Sequence, residues 1–396
     1  MELAKSKSKW VFRISYLKKI SIARVSTVPF FVNTQLTSQI EYLANSGCDV
    51  TVICSDGDIK AKNVNFLPVE IPRKVNLIKD FQACYKLYTT FKSQGFDVVH
   101  STTPKAGLLC SLAGFFSRTP VRIHTFTGQT WAEEKGWKRQ FFKLIDKLIV
   151  ALNTHSYADS PSQRQFLINE KIARPNKLTC LGQGSLSGVD LQRFDPEIWL
   201  KEKSEIVEKL SISKEAFVYL FVGRVTIDKG IRELLEAFSK VLAVIPSAML
   251  IVVGPIEDGV KNLIEKYQKL LGQALVINGF SAEPEKFFAI ADVLVLPSYR
   301  EGFGTTVIEA AAMGLPTIGT DIYGLKDAIL DKTTGVLVPV RKVEQLYDSM
   351  LNLQTDLELR LRLSKNSKER AENLFSSEFL SKLTLQEYQR WLEGQR

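Results

Sequence analysis

Short apolar runs rich in valine and isoleucine alternate with amphipathic stretches along most of the 396-residue chain. In the first half, four of these runs have the length and composition of buried parallel strands. They cover residues 20–26, 49–55, 97–101 and 121–126. The stretches between them have helical spacing and end near glycine or arginine. This alternation predicts a doubly wound α/β sheet, with ligands at the carboxyl ends of its strands.

The alternation stops at residues 190–215, which are polar, contain Pro196 and lack strand character. It then resumes with six further strand-like runs. They cover residues 217–224, 248–254, 274–280, 291–298, 316–320 and 335–340. The pattern therefore predicts two α/β domains, at 1–193 and 194–377, joined by that connection. A helical segment at 378–396 is expected to pack back on the first domain.

Charge is distributed unevenly along the chain. Residues 1–190 carry 26 Lys/Arg and 14 Asp/Glu, whereas residues 191–396 carry 26 Lys/Arg and 29 Asp/Glu. The first half is therefore basic and the second is slightly acidic. A one-sided basic surface attracts phosphates, whether of nucleic acid, of anionic lipid or of a diphosphate-linked substrate. Charge alone does not choose among these partners.

The five cysteines are scattered, none forms a C-x-x-C pair, and the chain has three histidines. This set offers no zinc constellation and is typical of reduced thiols in a cytoplasmic protein. The basic first 25 residues do not resemble a secretory signal, because Arg13, Lys18 and Lys19 interrupt every apolar run. No run reaches the ~18–20 apolar residues of a membrane span, so a soluble or peripheral protein is expected.

A basic pair follows the first strand of the second half. The run F-V-G-R ends at Gly223 and Arg224, and Lys229 and Gly230 open the next predicted helix. Arginine supplies a forked donor, lysine a point charge, and a helix N-terminus free amides, which together suit a diphosphate. For this pair alone, two solvated surface charges are the alternative interpretation.

A glycine-flanked acidic turn, E-G-F-G-T-T-V-I-E, follows another predicted strand. Glu301 lies in the loop, where Gly302 and Gly304 permit close backbone approach. A helix is expected to begin near Thr305, with Glu309 about one turn inside it. The amides can hold phosphate oxygens, one glutamate can accept ribose hydroxyls, and the other can face a sugar. A helix start with incidental acids is the alternative.

The order G-R-x4-K-G, then N-G-F, then E-G-F-G-x4-E-A-x2-M-G-x-P resembles the family-4 glycosyltransferases of the GT-B fold. The resemblance spans nearly the whole chain and is densest from 217 to 340. It implies two Rossmann-like doubly wound domains that face each other across a cleft. It also implies a retaining transfer from a nucleotide-sugar donor without metal or other cofactor, because basic residues and helix amides stabilise the departing diphosphate.

The same resemblance implies roles for individual residues. Arg224 and Lys229 neutralise the donor diphosphate, and with Glu301, which contacts the transferred sugar, they form the expected catalytic set. Glu309 binds the nucleotide ribose, and the backbone near Gly279 and Phe280 holds the base. The full expected donor site comprises Gly223, Arg224, Lys229, Gly279, Phe280, Glu301, Gly302, Phe303, Gly304, Thr305 and Glu309.

Three segments of the first half resemble a subgroup of these enzymes. They are V-V-H-S-T-T-P-K-A-G-L-L, V-R-I-H-T-F-T-G-Q and G-Q-G-S-L-S-G-V-D-L-Q-R-F-D-P. The subgroup comprises bacterial transferases that extend undecaprenyl-diphosphate-linked glycans, often from UDP-N-acetylhexosamines. The likeness implies a UDP-sugar donor (an N-acetylhexosamine or a hexose) and a polyprenyl-diphosphate-linked acceptor for surface polysaccharide. His100, Lys105 and the 125–129 loop, with Thr127 and Gln129, would line the acceptor side.

Two features depart from the family pattern. The loop after the first strand reads S-T-V-P-F-F-V-N-T instead of being rich in glycine. The best register places Thr127 where many members carry a catalytic-site histidine, with His124 three residues earlier. Strand periodicity points positions 124 and 127 to opposite faces, so His124 is not assigned that role. A core histidine is the alternative at this position.

Residues 137–149 are expected to form a helix with an apolar stripe and a separate basic stripe. The apolar stripe is Trp137, Phe141, Leu144, Ile145, Leu148 and Ile149, and the basic stripe is Arg139, Lys143 and Lys147. Such a helix can lie on an anionic membrane, although core packing with a solvated basic face is the alternative. Together with the basic N-terminus, it predicts peripheral association with the inner face of the plasma membrane.

Other interpretations have weaker support. Asp56-Gly57-Asp58 imitates a metal-binding D-x-D but is also an ordinary turn, and the glycines at 182, 184 and 188 have the wrong spacing for a dinucleotide fingerprint. Nucleic-acid binding is not expected, since only basicity favours it. Two alternatives stay open: a catalytically silent glycosyltransferase-like scaffold subunit, and a sugar-nucleotide epimerase of the same fold.

Overall fold

The computed structural model describes residues 19–213 and 215–394, so the predicted basic N-terminus at 1–18 lies outside the described residues. The first sheet contains seven parallel strands in the order β3-β2-β1-β4-β5-β6-β7. Its strands are β1 (Ser21–Val25), β2 (Asp49–Cys54), β3 (Asn65–Pro68), β4 (Val98–Thr102), β5 (Val121–Phe126), β6 (His155–Ala158) and β7 (Leu178–Cys180). Its helices are α1 (Pro29–Phe31), α2 (Thr37–Asn45), α3 (Leu77–Gln94), α4 (Pro104–Phe116), α5 (Gly136–Leu152) and α6 (Pro161–Asn169), with a π-helical turn at Val32–Leu36.

The second sheet contains six parallel strands in the order β10-β9-β8-β11-β12-β13. Its strands are β8 (Phe217–Val222), β9 (Ala248–Val253), β10 (Leu275–Gly279), β11 (Val293–Leu296), β12 (Thr317–Thr320) and β13 (Gly335–Val338). Its helices are α7 (Pro196–Lys209), α8 (Ile231–Val244), α9 (Lys261–Leu271), α10 (Glu285–Phe288), α11 (Thr305–Ala312), α12 (Leu325–Ala328), α13 (Val343–Thr355) and α14 (Leu357–Leu374). In each sheet the chain first adds strands toward one edge and then, from β4 or β11 onward, toward the other edge. This is the doubly wound arrangement that the alternation predicts.

The ten predicted strands are all present, because most of them are apolar runs buried between helices on both faces of a parallel sheet. Three further strands, β3, β6 and β7, carry too little apolar pattern to be recognised. β6 reads H-S-Y-A, and its four residues are buried although two of them are polar. Burial by neighbouring elements, rather than local composition, makes this segment a strand.

The connection at 190–215 is more ordered than its polar sequence suggests. Pro196 is the first residue of α7, where a proline costs nothing because the first amide of a helix has no intrahelical partner. Phe194 and Trp199 are buried in the core of the second sheet. The helix therefore packs as part of the second domain.

The chain crosses between the two sheets at two adjacent points. Val189 donates a backbone hydrogen bond to Phe375 and accepts one from Ser377. A Cβ on Gly188 would lie 2.5 Å from the Phe375 carbonyl oxygen, so a glycine permits the close crossing. The final helix, α15 (Ser377–Glu393), then packs against α2 on the first domain.

The helices form two layers on the first sheet. α2 and α15 cover one face, whereas α3 and α4 cover the other and α5 packs beside α4. In α5, Ile149 is buried, but most of the predicted apolar stripe is exposed. In the basic stripe, Arg139 and Lys143 both form ion pairs with Glu170, so the solvated basic face of the alternative interpretation is not what these two residues form.

Within the described ranges, no helix is long and apolar enough to cross a membrane.

Candidate active site

The carboxyl ends of the two sheets share one cavity of about 650 Å³. The reversal point of each strand order contributes to it: Phe30 and Asn33 follow β1, and Gly223 and Arg224 follow β8. Such reversal points are where open α/β sheets bind ligands, since the loops on either side diverge and leave a crevice.

The basic pair lies in the turn between β8 and α8. Arg224 lines the cavity, and its side chain is about half exposed (48%) while paired with Glu257. Lys229 ends a short 3-10 turn at Ile227–Lys229, directly before the first residues of α8. Arg224 therefore faces the cavity while it is paired with Glu257, and Lys229 lies five residues further along the same turn.

Lys229 and Glu301 form an ion pair, although 72 residues separate them in the chain. The Glu301 carboxylate also accepts a hydrogen bond of 2.9 Å from the Ser298 hydroxyl at the end of β11. Both side chains of the ion pair are mostly buried, at 18% and 14% exposure. The structure therefore brings together the basic turn and the acidic loop that the sequence singled out.

Gly302 is the point where the two domains touch in this loop. A Cβ there would lie 2.7 Å from the carbonyl carbon of Thr127, in the loop after β5, and 2.9 Å from an Asp159 carboxylate oxygen. Only glycine fits, because backbone on the opposing side cannot move out of the way independently. The loop containing Glu301 is thus held directly against the predicted acceptor loop.

The donor-side residues divide into those that line the cavity and those that support it. Gly223, Arg224, Phe280, Thr305 and Glu309 line it. Gly279 ends β10 and accepts a backbone hydrogen bond from Gly254. Gly304 is the N-cap of α11, which begins at Thr305 as expected.

Phe303 is a correction to the predicted donor site. Its side chain is buried in the core of the second domain, with its ring centroid 5.1 Å from that of Phe375. The apolar ring is removed from the cavity because the loop reverses at the flanking glycines and turns it inward.

Glu309 lies one turn inside α11 with its side chain on the cavity. No hydrogen bond from another described residue reaches its carboxylate. Burial raises the pKa of this carboxyl to about 7, with Arg193 opposing the rise and Glu285 adding to it. A desolvated acceptor without a protein partner is suited to bind hydroxyl groups of a ligand.

Phe280 is more than half exposed and extends toward the first domain. Its ring centroid lies 5.6 Å from that of Phe30, edge to face. The two rings come from opposite domains and stand at one end of the cavity, where a planar base can stack. Phe30 belongs to the S-T-V-P-F-F-V-N-T loop that departs from the family pattern, and sequence reasoning did not assign it.

The predicted acceptor residues have different environments. Thr127 lies against Gly302, as described above. Gln129 is buried and accepts a hydrogen bond from Gln163, so it supports the loop. Lys105, at the start of α4, forms an ion pair with Asp80 on α3. His124 is buried, its Nδ1 lies 2.9 Å from the Ser101 hydroxyl, and burial lowers its pKa to about 3.

The prediction that His100 lines the acceptor side is wrong. The residue is only 2% exposed, and its two ring nitrogens lie 2.6 Å from the Tyr388 hydroxyl and 2.7 Å from the Thr125 hydroxyl. Tyr388 in turn accepts a hydrogen bond from Arg24. His100 therefore ties the last helix to the first sheet, because it points to the face that α15 covers.

Asp159 is a buried carboxyl that sequence reasoning missed. It directly follows β6, its Oδ1 has no hydrogen-bond partner among the described residues, and its Oδ2 lies beside Gly302. Burial, and then the nearby charge of Glu301, raise its pKa to about 7. The weak, polar pattern of β6 hid the strand end that would have indicated this position.

Two doubly wound parallel domains with a shared cavity between them, a basic turn and an acidic loop on the second, have the architecture of the GT-B fold. Residues 202–370 match the family described as glycosyl transferases group 1, and residues 32–184 match the glycosyl transferase 4-like domain. The chain belongs to this glycosyltransferase family, as its motifs predict.

Individual relatives extend over nearly the whole chain. The capsular polysaccharide biosynthesis glycosyltransferase CapM of Staphylococcus aureus is 30% identical, over 87% of this chain and 90% of its own. The UDP-Gal:alpha-D-GlcNAc-diphosphoundecaprenol alpha-1,3-galactosyltransferase of Escherichia coli is 27% identical, over 90% of this chain and 94% of its own. A glycosyltransferase structure from Rickettsia africae superposes with a TM-score of 0.77 at 20% identity, over 95% of this chain and 99% of that one.

Proposed function

We propose that this chain transfers a hexose or N-acetylhexosamine from a UDP-sugar to a polyprenyl-diphosphate-linked glycan, in the synthesis of bacterial surface polysaccharide. The observation that carries the proposal is an interdomain cavity that Arg224 and Glu309 line, with the Lys229–Glu301 ion pair joining the turn of Arg224 to the loop before the helix of Glu309. The acceptor class follows from the E. coli relative, whose name specifies a diphosphoundecaprenol-linked acceptor.

Donor binding would change the ion-pair partners of the two cations, Arg224 and Lys229. The diphosphate competes with Glu257 for Arg224 and with Glu301 for Lys229, so each cation leaves a carboxylate for a phosphate. Glu301 is then released toward the sugar, beside the loop that carries Thr127. The ribose hydroxyls donate to Glu309, and the base stacks on the exposed Phe280 ring beside Phe30.

Transfer would proceed with retention and without a metal ion. The acceptor hydroxyl approaches the anomeric carbon from the side on which the diphosphate departs. Arg224, Lys229 and the amides at the start of α11 stabilise the negative charge that develops on the leaving group, which is the role a divalent cation fulfils elsewhere. The enzyme would act in the cytoplasm, at the inner face of the plasma membrane where such acceptors are found.

The test is turnover of the purified protein with a panel of UDP- and GDP-sugars and a short-chain polyprenyl-diphosphate glycan, in the presence of EDTA. Arg224→Ala and Lys229→Ala should each lower kcat by about 100- to 1,000-fold, because each removes charge stabilisation of the leaving group. Their circular dichroism should be unchanged. Lys261→Ala, at another ion-paired lysine of the second domain, is the matched control.

Each alternative gives its own result in this assay. A silent scaffold subunit would neither transfer the sugar nor hydrolyse any donor. An epimerase would interconvert sugars in the absence of acceptor. Near-normal turnover of Arg224→Ala and Lys229→Ala would contradict the assignment of the site, and an inverted anomeric configuration in the product would contradict retention.

A further inference from the structure

A small cavity of about 70 Å³ lies in the first domain, and none of the described residues that line it also lines the interdomain cavity. Pro104 follows β4 and Thr127 follows β5, and both line this cavity. The carboxyl ends of parallel strands meet at one edge of a sheet, and in this domain that edge faces the cleft. The cavity therefore lies on the acceptor side of the cleft.

One wall of this cavity is the backbone that touches the acidic loop of the second domain. Thr127 and Gly128 form this wall. A Cβ on Gly128 would lie 3.3 Å from the backbone nitrogen of Gly302, the residue after Glu301. A sugar that reacts beside Glu301 would therefore lie next to the wall of the cavity.

The other walls of the cavity are largely apolar. Phe126 and Trp131 contribute aromatic rings and are 3% and 1% exposed, and Phe142 and Ile145 contribute from α5. The Trp131 ring is fixed, since it also stacks on Phe166 at a centroid distance of 5.5 Å. Rigid apolar walls around so small a space favour a small apolar group such as a methyl group.

His124 adds a polar group to these apolar walls. Its Nδ1 lies 2.9 Å from the Ser101 hydroxyl, whereas its Nε2 has no hydrogen bond to any described residue. A Cβ on Gly107 would lie 2.5 Å from the ring, so α4 packs directly against His124 and fixes its position. The ring is neutral because burial lowers its pKa to about 3. With Nδ1 accepting from Ser101, the Nε2–H group is a donor.

Asp146 on α5 adds a complementary acceptor to the cavity. Its Oδ2 accepts a hydrogen bond of 2.7 Å from the Trp131 indole, whereas no described residue donates to its Oδ1. Burial raises its pKa to about 6, with the Trp131 hydrogen bond opposing the rise, so the carboxyl is ionised at neutral pH. Buried polar groups without partners are costly, so this donor and this acceptor favour a ligand that pairs with both.

We infer that this cavity binds the acetamido group of an N-acetylated sugar at the end of the acceptor, and we call it the acetamido pocket. The carbonyl oxygen of the group accepts from His124, its N–H donates to Asp146, and its methyl contacts Phe126 and Trp131. A sugar with a hydroxyl in the same place would leave a buried polar group unpaired and the apolar walls uncovered. The inference rests on the proposed function, which places a sugar acceptor in the cleft.

The test compares two short-chain polyprenyl-diphosphate acceptors that differ only in the sugar, N-acetylglucosamine or glucose. Each acceptor is titrated calorimetrically into the full chain at pH 8 in the presence of UDP, and kcat/KM is measured with both. The wild type should bind the N-acetylated acceptor at least about 100-fold more tightly, because only that acceptor makes both hydrogen bonds and the methyl contact. Equal binding of the two acceptors would overturn the inference, since it is the result expected if water alone fills the pocket.

Two substitutions in the pocket test the roles of its polar groups. Asp146→Asn keeps an oxygen for the Trp131 indole but presents N–H groups to the N–H of the ligand, and His124→Leu removes the donor at similar size. Each should lower the preference for the N-acetylated acceptor at least about tenfold. His155→Leu, at a buried histidine of β6 that does not line the pocket, is the matched control and should leave the preference unchanged. The preference is a ratio measured on one protein, so lost stability does not imitate the effect, and an unchanged preference in both pocket variants would overturn the inference.

The two readouts separate this inference from the proposed function. If the N-acetylated acceptor is bound with the expected preference while no sugar is transferred, the proposed function fails and the pocket remains. If sugar is transferred to both acceptors with equal kcat/KM, the pocket assignment fails alone. If neither acceptor binds, both fail.

Discussion

Replacing Glu309 by glutamine should stabilise the folded protein and at the same time weaken donor binding. The carboxyl lines the cavity without a hydrogen bond from another described residue, and burial raises its pKa from 4.5 to about 7. In the folded state, ionisation of Glu309 is therefore unfavourable. A glutamine of the same shape carries no charge and avoids this cost.

The magnitude and its pH dependence follow from the pKa. Below about pH 4.5 the Glu309 carboxyl is protonated in both the folded and the unfolded wild type. The wild type and Glu309→Gln should therefore be equally stable there. As pH rises from 4.5 to 7, the unfolded wild type releases a proton that the folded state retains, and its stability falls relative to the variant. Above pH 7 the difference reaches about 3 kcal/mol at most.

The assay is urea unfolding of the wild type and Glu309→Gln at pH 4.5 and pH 8, with Glu344→Gln as the control at an exposed glutamate. Donor binding is measured in parallel by the rise in melting temperature with UDP. The amide keeps one acceptor oxygen but loses the charge and the second acceptor, which should weaken UDP binding about 10- to 100-fold. Equal stability of the wild type and the variant at pH 8, or an unchanged response to UDP, would refute the reasoning.

Two further substitutions test the contacts between parts of the chain. Gly302→Ala should lower kcat about 100-fold with little loss of UDP affinity, because its Cβ would meet the Thr127 backbone at 2.7 Å and separate the donor and acceptor loops; steady-state kinetics with UDP titration checks this. His100→Ala should cost about 2–4 kcal/mol of unfolding free energy, since the Tyr388 and Thr125 hydroxyls lose their partner, while kcat changes little. A collapse of kcat with unchanged stability would instead place His100 at the acceptor.

The strands were predictable where local pattern and tertiary environment agree. An apolar run such as 217–222 is recognisable because it is buried on both faces of a sheet. β6 was not, because its polar residues are buried by neighbouring elements that the local sequence does not reveal. Pro196 was interpreted as part of an irregular connection between the domains, although it is the first residue of α7.

The meeting of the basic turn and the acidic loop was predictable because both follow strand ends at a reversal of strand order. Lys229 and Glu301 meet for that reason, in spite of their separation in sequence. The environment of His100 was not predictable, because it depends on α15, a helix from the far end of the chain that packs on the first domain. Asp159 and the small cavity beside His124 were not foreseen, because periodicity indicates which residues share a face but not what covers it.

The most direct measurement of the central claim is calorimetric titration of UDP into the protein in EDTA, for the wild type, Lys229→Ala and Arg224→Ala. The claim is that the second domain binds a nucleotide diphosphate with its basic turn and acidic loop, without a metal ion. It predicts UDP binding by the wild type and at least about tenfold weaker binding by each variant. A wild type that fails to bind UDP, or variants that bind it equally well, would contradict the account.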